Sequence, residues 1–277
     1  MRNATPFASG RPLDVVCLGR FAVDFYAQQI GARLEDCTAF SKYLGGSSAN
    51  TAFGCARLGL KAGLISRVGN DANGRFLVET IAKEGCDTSH VSVDPQRLTG
   101  AVVLGIKDKD TFPLIFLREN CADMAITEDD IGEAYIASSR ALLITGTHFS
   151  TSYIDRISNL ALDRARANDV RTVLDIDYRP VLWGLTNRGD GETRFIPSDG
   201  VTAHLQRILP KFDLVIGTVE EFNIAGGSLD IMESLRAVRA LTPATLVVKR
   251  GPIGCAVIDG AIPASLDAAF NGQGVNV

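Results

Sequence analysis

The sequence predicts a three-layer α/β/α body with a mostly parallel sheet, together with a small β-sheet lid. Short apolar runs alternate with helical patterns along most of the 277 residues. Strands of continuous Val, Ile and Leu character that are separated by helices indicate a parallel sheet covered on both faces. Extended runs within 20–44 and 100–118 interrupt this alternation, and we expect them to supply the lid strands. We treat 1–277 as a single domain.

The first part of the body contains two strand–helix pairs. Residues 14–19 predict a buried strand, and 48–58 repeat apolar residues at helical spacing. Gly59 follows that helix, as glycine commonly does at a helix end. Residues 64–68 predict the next strand and 75–84 the next helix.

The predicted lid consists of a hairpin and two further extended runs. Two apolar runs within 101–118 flank an acidic turn at 108–110, which indicates an antiparallel hairpin. Pro113 in the second run is typical of an edge strand, because proline cannot donate a ladder hydrogen bond. Residues 21–28 and 38–44 are also extended in pattern, so the four pieces can pair into one small sheet.

The second half of the chain shows a regular alternation of strands and helices. Strands are predicted at 141–145, 172–176, 214–216 and 246–249, and helices at 153–168, 202–209 and 229–241. In open α/β sheets of this kind, ligands bind at the carboxyl ends of the strands. We therefore expect the functional residues at those ends.

Composition excludes several classes of protein. The net charge is −4 and no Lys/Arg-rich run occurs, so the basic surface that nucleic-acid binding requires is missing. No apolar run is long enough to cross a bilayer, and the polar first dozen residues lack the apolar core of a signal peptide. The six cysteines contain no C-x-x-C pair, which favours buried, reduced thiols. We expect a cytoplasmic protein without a membrane or nucleic-acid partner.

The segment Gly45-Gly46-Ser47-Ser48-Ala49-Asn50 is the strongest local signal for a binding site. Glycines let backbone amides approach a ligand closely, and the unpaired N–H groups at the start of the following helix face the same place. A plain glycine turn with a capping serine is the alternative interpretation. The chain contains neither G-x-G-x-x-G nor G-x-x-x-x-G-K-[ST], which argues against a dehydrogenase or a P-loop protein.

These motifs, in their order, resemble those of the ribokinase (PfkB-type) family of carbohydrate kinases. The resemblance rests on GG-x-x-x-N at 45–50, ARLG at 56–59 and VGNDANG at 68–74. It implies that Asp24, Gly45, Gly46 and Asn50 bind the sugar. The run DIDYRPVLW at 175–183 resembles the family's D-x-N-x-R…LW strand end, with Asp177 where asparagine is usual. Arg179 of this run then binds sugar or phosphate, or else forms a surface ion pair.

The same resemblance implies ATP and Mg²⁺ as cofactors. Glu220 resembles the glutamate of the family's N-x-x-E element, which helps organise magnesium, although Gly217 replaces the asparagine. Lys249, Gly251 and Gly254 resemble the nucleotide-side loop. The alternatives are that Glu220 only favours the helix dipole, that Lys249 extends its charge to solvent from a strand end, and that the glycines only shape a turn.

The run FLRENCAD at 116–123 resembles the branch that phosphorylates 5-dehydro-2-deoxygluconate in inositol breakdown. An arginine fork binds a carboxylate through two parallel hydrogen bonds, so Arg118 is the candidate for the acid group. The alternative is a solvated arginine on an edge strand. Kinases for 2-dehydro-3-deoxygluconate or fructose, and a non-catalytic sugar-binding protein, remain alternative functions.

The resemblance also places a second signature, Gly-Ala-Gly-Asp, after Val277. Its aspartate is the general base of the family, and none of the 277 residues forms this tetrapeptide. Removing a general base typically slows a reaction by about 10²–10⁴-fold. We therefore expect a C-terminally incomplete domain that is nearly inactive as given. Because lid sheets have exposed edges, we also expect a homodimer that forms through the lid.

Overall fold

Two β-sheets form the framework of the computed structural model, which describes residues 7–108 and 111–273. The strands are β1 (Leu13–Leu18), β2 (Ala22–Ala27), β3 (Phe40–Gly45), β4 (Ala62–Gly69), β5 (Val91–Asp94), β6 (Gly100–Leu104), β7 (Leu114–Leu117), β8 (Ser139–Thr145), β9 (Arg171–Asp175), β10 (Leu214–Thr218), β11 (Thr245–Lys249), β12 (Gly254–Ile258) and β13 (Phe270–Gln273). The α-helices are α1 (Ser47–Arg57), α2 (Ala72–Lys83), α3 (Glu133–Ala137), α4 (Ser152–Ala167), α5 (Asp199–Ile208), α6 (Val219–Gly226) and α7 (Ile231–Leu241).

The larger sheet has the strand order β13-β12-β11-β10-β9-β8-β1-β4-β5. All neighbours from β5 to β11 are parallel, and only β12 and β13 run antiparallel. The predicted fold class is therefore confirmed. The sequence analysis missed β5, β12, β13 and α3 and gave no bounds for α6, because short apolar runs do not distinguish strand from helix or loop by periodicity.

The body has a hydrophobic core on each face of this sheet. Val16 and Leu18 of β1 belong to the core beneath α4 and α5, whereas Val15 and Cys17 belong to the core beneath α1 and α2. Successive side chains of a strand point to opposite faces, so a strand covered on both sides must be apolar at every position. This explains the continuous apolar runs that predicted the parallel sheet.

The smaller sheet has the order β3-β2-β6-β7 and forms the lid. Strand β2 pairs antiparallel with β3 and parallel with β6, and β6 pairs antiparallel with β7. Part of the predicted turn at 108–110 lies outside the described residues. On the outer edge of β7, the backbone N–H of Gly191 donates to the carbonyl of Leu114 at 3.0 Å. A polar loop of the body, residues 184–198, therefore contacts the lid edge.

The six cysteines are all free; Cys17, Cys86 and Cys121 are buried, and the other three are partly exposed. Among the described residues, no helix combines the length and apolar character that a membrane span requires.

Candidate active site

The carboxyl ends of β1, β8, β9, β10 and β11 lie at one edge of the body sheet, because these strands are parallel neighbours. The residues at or just beyond these ends are largely polar. They are Arg20, Thr145, Thr147, Asp175, Asp177, Arg179, Thr218, Glu221 and Lys249. Charged side chains of both signs therefore lie where an α/β sheet binds ligands.

A buried ion pair between Arg20 and Asp177 lies at the centre of this edge. The Arg20 Nη2 is 2.5 Å from Asp177 Oδ2, and it also donates to Ser47 Oγ at 2.9 Å. Thr147 donates to the same carboxylate oxygen at 3.0 Å. Burial raises the pKa of Asp177, but Arg20 and Arg179 outweigh burial, and the pKa falls to about 2. Asp177 is therefore an anion that fixes the Arg20 guanidinium.

The backbone at Asp177 explains why a short polar residue follows β9. Its φ is 38°, in the left-handed region. Aspartate and asparagine tolerate that region better than other side chains. The turn directs Asp177 towards Arg20, while Asp175, at the end of β9, contacts Lys249.

Lys249 links two further carboxylates at the neighbouring strand ends. Its Nζ lies 3.0 Å from Asp175 Oδ1 and 3.6 Å from Glu221 Oε2. Burial raises the pKa of both carboxyl groups, and the ammonium opposes that rise. Arg179 Nη1 is 3.7 Å from Glu221 Oε1. Two carboxylates and two cations thus lie together beside α6.

The structure places Glu221, and not Glu220, in this cluster. Glu221 is 5% exposed and closes a capping box with Thr218, whose backbone N–H donates to Glu221 Oε2 at 2.7 Å. Glu220 is exposed, because one residue along a helix turns the side chain by about 100°. The sequence contained a signal for the position of Glu221. Thr218 and Glu221 form a T-x-x-E pattern before an apolar run, which is typical of a capping box.

Arg118 lies at the lid end of the site and is buried. Its Nη2 donates to Asp123 Oδ1 at 2.6 Å. Burial opposes the charged form of Arg118, but Asp123 outweighs burial, and the pKa of the guanidinium is raised. The side chain is only 3% exposed, so the solvated edge-strand alternative is wrong. Its Nη1 is buried and has no hydrogen-bond partner among the described residues.

Asp123 connects Arg118 to the start of the lid. Its other oxygen accepts from the backbone N–H of Phe21 at 2.8 Å, directly before β2. Cys121 Sγ donates to Asp123 Oδ1 at 3.0 Å. Gly100 makes room for this arrangement, because a Cβ there would lie 2.7 Å from Arg118 Nη1.

A pocket of about 350 Å³ opens beside Arg118 and Arg20. Asn120, Thr147 and Leu182 also line it. Asn120 Oδ1 accepts from Arg97 Nε at 3.0 Å, which holds the asparagine at the rim. Two arginines that share one small pocket favour an anionic ligand there.

A second pocket of about 590 Å³ lies between the lid and α1, lined by Asp24 and Asn50 among others. Burial raises the pKa of Asp24 to about 6. A Cβ on Gly45 would overlap the Asp24 carboxylate. A Cβ on Gly46, whose φ is 93°, would overlap the Arg20 carbonyl. Both glycines are thus required by close approach to neighbouring parts of the chain.

Gly251 and Gly254 bound a short turn after β11. Arg250 N–H donates to the Gly254 carbonyl at 2.7 Å, and both glycines have positive φ, 56° and 104°. The turn follows Lys249 directly, so it borders the Lys249–Glu221 cluster.

The sequence analysis did not single out several residues of the site. They are Arg20, Ser47, Asp123 and Thr147. Arg20 directly follows a buried strand, which is a usable signal for a residue at a sheet edge. Asp123 ends the run 116–123, but its contact with the backbone of Phe21, 102 residues away, is made only by the fold.

The chain matches the model of the pfkB family of carbohydrate kinases over residues 12–275. It therefore belongs to the pfkB family of carbohydrate kinases, as its motifs indicated. A curated relative from Geobacillus thermodenitrificans, 5-dehydro-2-deoxygluconokinase, is 38% identical over 223 residues, which are 80% of this chain and 63% of that protein. The chain thus spans less than two thirds of the length of that relative.

Two solved structures share the fold closely. The PfkB protein from Polaromonas sp. JS666 is 29% identical with a TM-score of 0.77, and the match covers 96% of this chain and 83% of that one. A fructokinase from Halothermothrix orenii is 26% identical with a TM-score of 0.75, covering 92% and 87%.

Proposed function

We propose that this protein transfers the γ-phosphoryl group of ATP to a hydroxyl of a sugar acid, with 5-dehydro-2-deoxy-D-gluconate as the substrate. The observation that carries the proposal is the 350 Å³ pocket, which Arg20 and Arg118 both line. Guanidinium groups bind carboxylates through charge-assisted hydrogen bonds. A relative bearing this activity in its name supports the choice of substrate.

The remaining sugar contacts follow from the second pocket. Asp24 and Asn50 line it and offer acceptors and donors for hydroxyl groups, while Gly45 and Gly46 allow the backbone to approach. Arg179 lies between Asp177 and Glu221, at 3.5 and 3.7 Å, with contacts long enough to yield to a ligand oxygen. We assign it to the substrate end that receives the phosphoryl group.

ATP is assigned to the edge that carries Lys249, Glu221 and the turn from Gly251 to Gly254. The described residues contain no group of three side chains that could hold a metal by themselves. Mg²⁺ is typically bound by one or two carboxylates together with substrate phosphates and water. Asp175 and Glu221 fit that need, and Glu221 takes the role first given to Glu220. Bound magnesium would neutralise phosphate charge.

We keep the aspartate of the Gly-Ala-Gly-Asp signature, expected after Val277, as the general base. None of the 277 residues forms this tetrapeptide. A polypeptide without it should transfer phosphoryl groups about 10²–10⁴-fold more slowly.

The test is ADP release with MgATP by the protein expressed from its complete reading frame, beside the 277-residue chain. Turnover should depend on 5-dehydro-2-deoxygluconate, and the 277-residue chain should be slow. Turnover with 2-dehydro-3-deoxygluconate or fructose instead would keep the chemistry and reject the substrate. Sugar-acid binding without turnover in either polypeptide would favour a non-catalytic sugar-binding protein.

A homodimer through the lid is proposed on one further observation. Phe40 and Leu117, which the strand register places on one face of the lid sheet, are 38% and 57% exposed. Exposed apolar side chains on an open sheet are stabilised by a partner surface. Sedimentation equilibrium of Leu117→Ser should show weakened dimers, and a wild-type monomer would reject the proposal. Because the reaction consumes ATP, we propose that the protein works in the cytoplasm.

A further inference from the structure

Arg20 is a buried arginine just after β1, and the protein fixes two of its three guanidinium nitrogens. Its side chain is 7% exposed. Nε and Nη2 donate to Ser47 Oγ at 3.2 and 2.9 Å, and Nη2 also donates to Asp177 Oδ2 at 2.5 Å. Because the guanidinium is planar, contacts at two nitrogens also fix the orientation of the third.

Hydroxyl groups connect Ser47 back to Asp177. Ser47 Oγ donates to Thr145 Oγ1 at 3.1 Å, and the hydroxyls of Thr145 and Thr147 lie 3.2 Å apart. Thr147 donates to Asp177 Oδ2 at 3.0 Å, so Thr145 is the donor in the contact between the two threonines. Together with Arg20 these residues close a ring of hydrogen bonds, in which each hydroxyl donates to the next member. A fully paired polar network of this kind holds its members rigidly.

The third guanidinium nitrogen of Arg20, Nη1, remains for a ligand. No described residue accepts a hydrogen bond from it, and Arg20 lines the pocket of about 350 Å³. Nη1 is not among the described nitrogens that are both unpaired and sealed from solvent. The counter-ion of Arg20 is shared, because the other oxygen of Asp177 lies 3.5 Å from Arg179. A guanidinium with a shared counter-ion and a free, accessible nitrogen fits an anionic ligand.

Arg118 lines the same pocket but offers it no such donor. Its Nη2 donates to Asp123 Oδ1 at 2.6 Å, and its Nη1 is buried without a partner among the described residues. A Cβ on Gly100 would lie 2.7 Å from that Nη1, so the nitrogen is packed against β6. Arg118 therefore contributes positive charge through the pocket wall, whereas Arg20 can form hydrogen bonds inside the pocket.

We propose that Arg20 binds the carboxylate of the substrate directly and thereby determines the preference for a sugar acid over a neutral sugar. This proposal rests on the proposed function and names the residue that recognises the acid group. A hydrogen bond between ionised groups is about twice as strong as one between neutral groups. A neutral sugar would place a hydroxyl against Nη1, and a hydroxyl compensates a buried guanidinium less well than a carboxylate does.

The expected kinetic signature follows from where the contact lies on the substrate. The carboxylate is not the group that receives the phosphoryl, so its contact with Arg20 is the same before and during the transfer. An interaction of equal strength in the ground state and the transition state lowers KM and leaves kcat unchanged. A contact between Arg20 and the transferring phosphoryl group would instead contribute to kcat.

The test replaces a whole ion pair, because removing Arg20 alone would leave Asp177 buried without its main partner. Arg20→Gln/Asp177→Asn, in the protein from its complete reading frame, keeps the net charge. Its Kd for 5-dehydro-2-deoxygluconate should rise about 10–100-fold, while its Kd for fructose, a neutral ketose, changes less than about threefold. Calorimetric titration measures both constants. The KM for the acid should rise in parallel, with kcat within about threefold of the wild type.

Three further variants supply the comparison. Arg33→Gln/Asp36→Asn removes an exposed ion pair between β2 and β3 and should bind both sugars as the wild type does. Arg118→Gln/Asp123→Asn should raise the Kd for the acid less than the Arg20 double variant does. Arg20→Lys keeps the charge but loses the fork, so it should weaken acid binding about tenfold without affecting fructose. It gives the answer if the double variant does not fold.

Several outcomes would overturn the proposal. They are an unchanged Kd for the acid in both Arg20 variants, an equal loss of affinity for acid and fructose, and a larger effect of the Arg118 variant. A lower kcat with an unchanged KM would overturn it in favour of a phosphoryl contact. A wild type that binds the acid no better than fructose would instead reject the proposed function.

Discussion

The carboxylate of Asp24 in β2 occupies the space that a side chain on Gly45 in β3 would fill. In the antiparallel register, Gly45 lies opposite Ala22, two residues from Asp24. Because Gly45 has no side chain, the Asp24 carboxylate can be half-buried on the neighbouring lid strand.

Gly45→Ala should displace the Asp24 carboxylate and weaken sugar-acid binding. We expect the Kd to rise at least about tenfold, equivalent to about 1.4 kcal/mol, with a loss of about 1–3 kcal/mol of stability from overpacking. Calorimetric titration and urea unfolding measure the two effects. Gly54→Ala in α1 is the matched control, because no atom lies within 4 Å of the new Cβ. That variant should be stabilised by about 0.5–1 kcal/mol. Unchanged affinity in Gly45→Ala would remove Asp24 from the binding site.

Asp24→Asn should make the protein more stable at pH 7 but poorer at binding the sugar acid. Burial raises the pKa of Asp24 from 3.8 to about 6, so the folded state holds the proton longer than the unfolded state. Stability due to this group is present below pH 3.8 and is lost as pH rises to about 6. The gain from Asn at pH 7 should be about 1–3 kcal/mol.

The same titration predicts how binding depends on pH. The wild type should lose sugar-acid affinity as pH falls below about 6, because Asp24 becomes neutral and accepts hydrogen bonds less well. Asp24→Asn should bind weakly with no such dependence between pH 5 and 7, a window set by that pKa of about 6. A pH profile shared by both proteins would assign the dependence to another group.

Asp123→Asn should destabilise the protein and loosen Arg118. Breaking a buried ion pair by removing one partner costs about 3–5 kcal/mol, because the remaining charge is left uncompensated. Urea unfolding measures the loss. The exposed ion pair of Arg33 and Asp36 provides the control, because solvent-exposed ion pairs contribute little to stability. Asp36→Asn should therefore leave the midpoint of urea unfolding unchanged. A loss no larger than in that control would show that the Arg118–Asp123 contact does not stabilise the fold.

Glu221→Gln and Glu220→Gln form a matched pair on adjacent positions of α6. The first should lower kcat/KM for MgATP by about 10²-fold and raise the magnesium concentration needed for half-maximal rate. The second should have no effect, because Glu220 is exposed. ADP-release assays across a magnesium series test both. The opposite ranking of the two variants would restore the original assignment of Glu220.

The sequence by itself determined the parallel body, the lid segments and the glycine pair between β3 and α1. Continuous apolar runs report burial on both faces of each strand, and that information is local. The resemblance of its motifs to those of the ribokinase family also implied Asp24, Arg118 and Lys249 as site residues. The order and spacing of such motifs are recorded in the linear sequence.

Only the tertiary structure decided which charges meet. Arg20 and Asp177 are 157 residues apart and form a buried pair, a contact that no local pattern encodes. Glu221 is buried in the site and Glu220 is exposed, because adjacent residues of a helix point in directions about 100° apart. The end of β10 sets where α6 begins, and therefore which of the two is buried. The burial of Arg118 requires Gly100 and Asp123. Side-chain direction and long-range ion pairs are fixed by packing, so the detail of the site follows from the assembled fold.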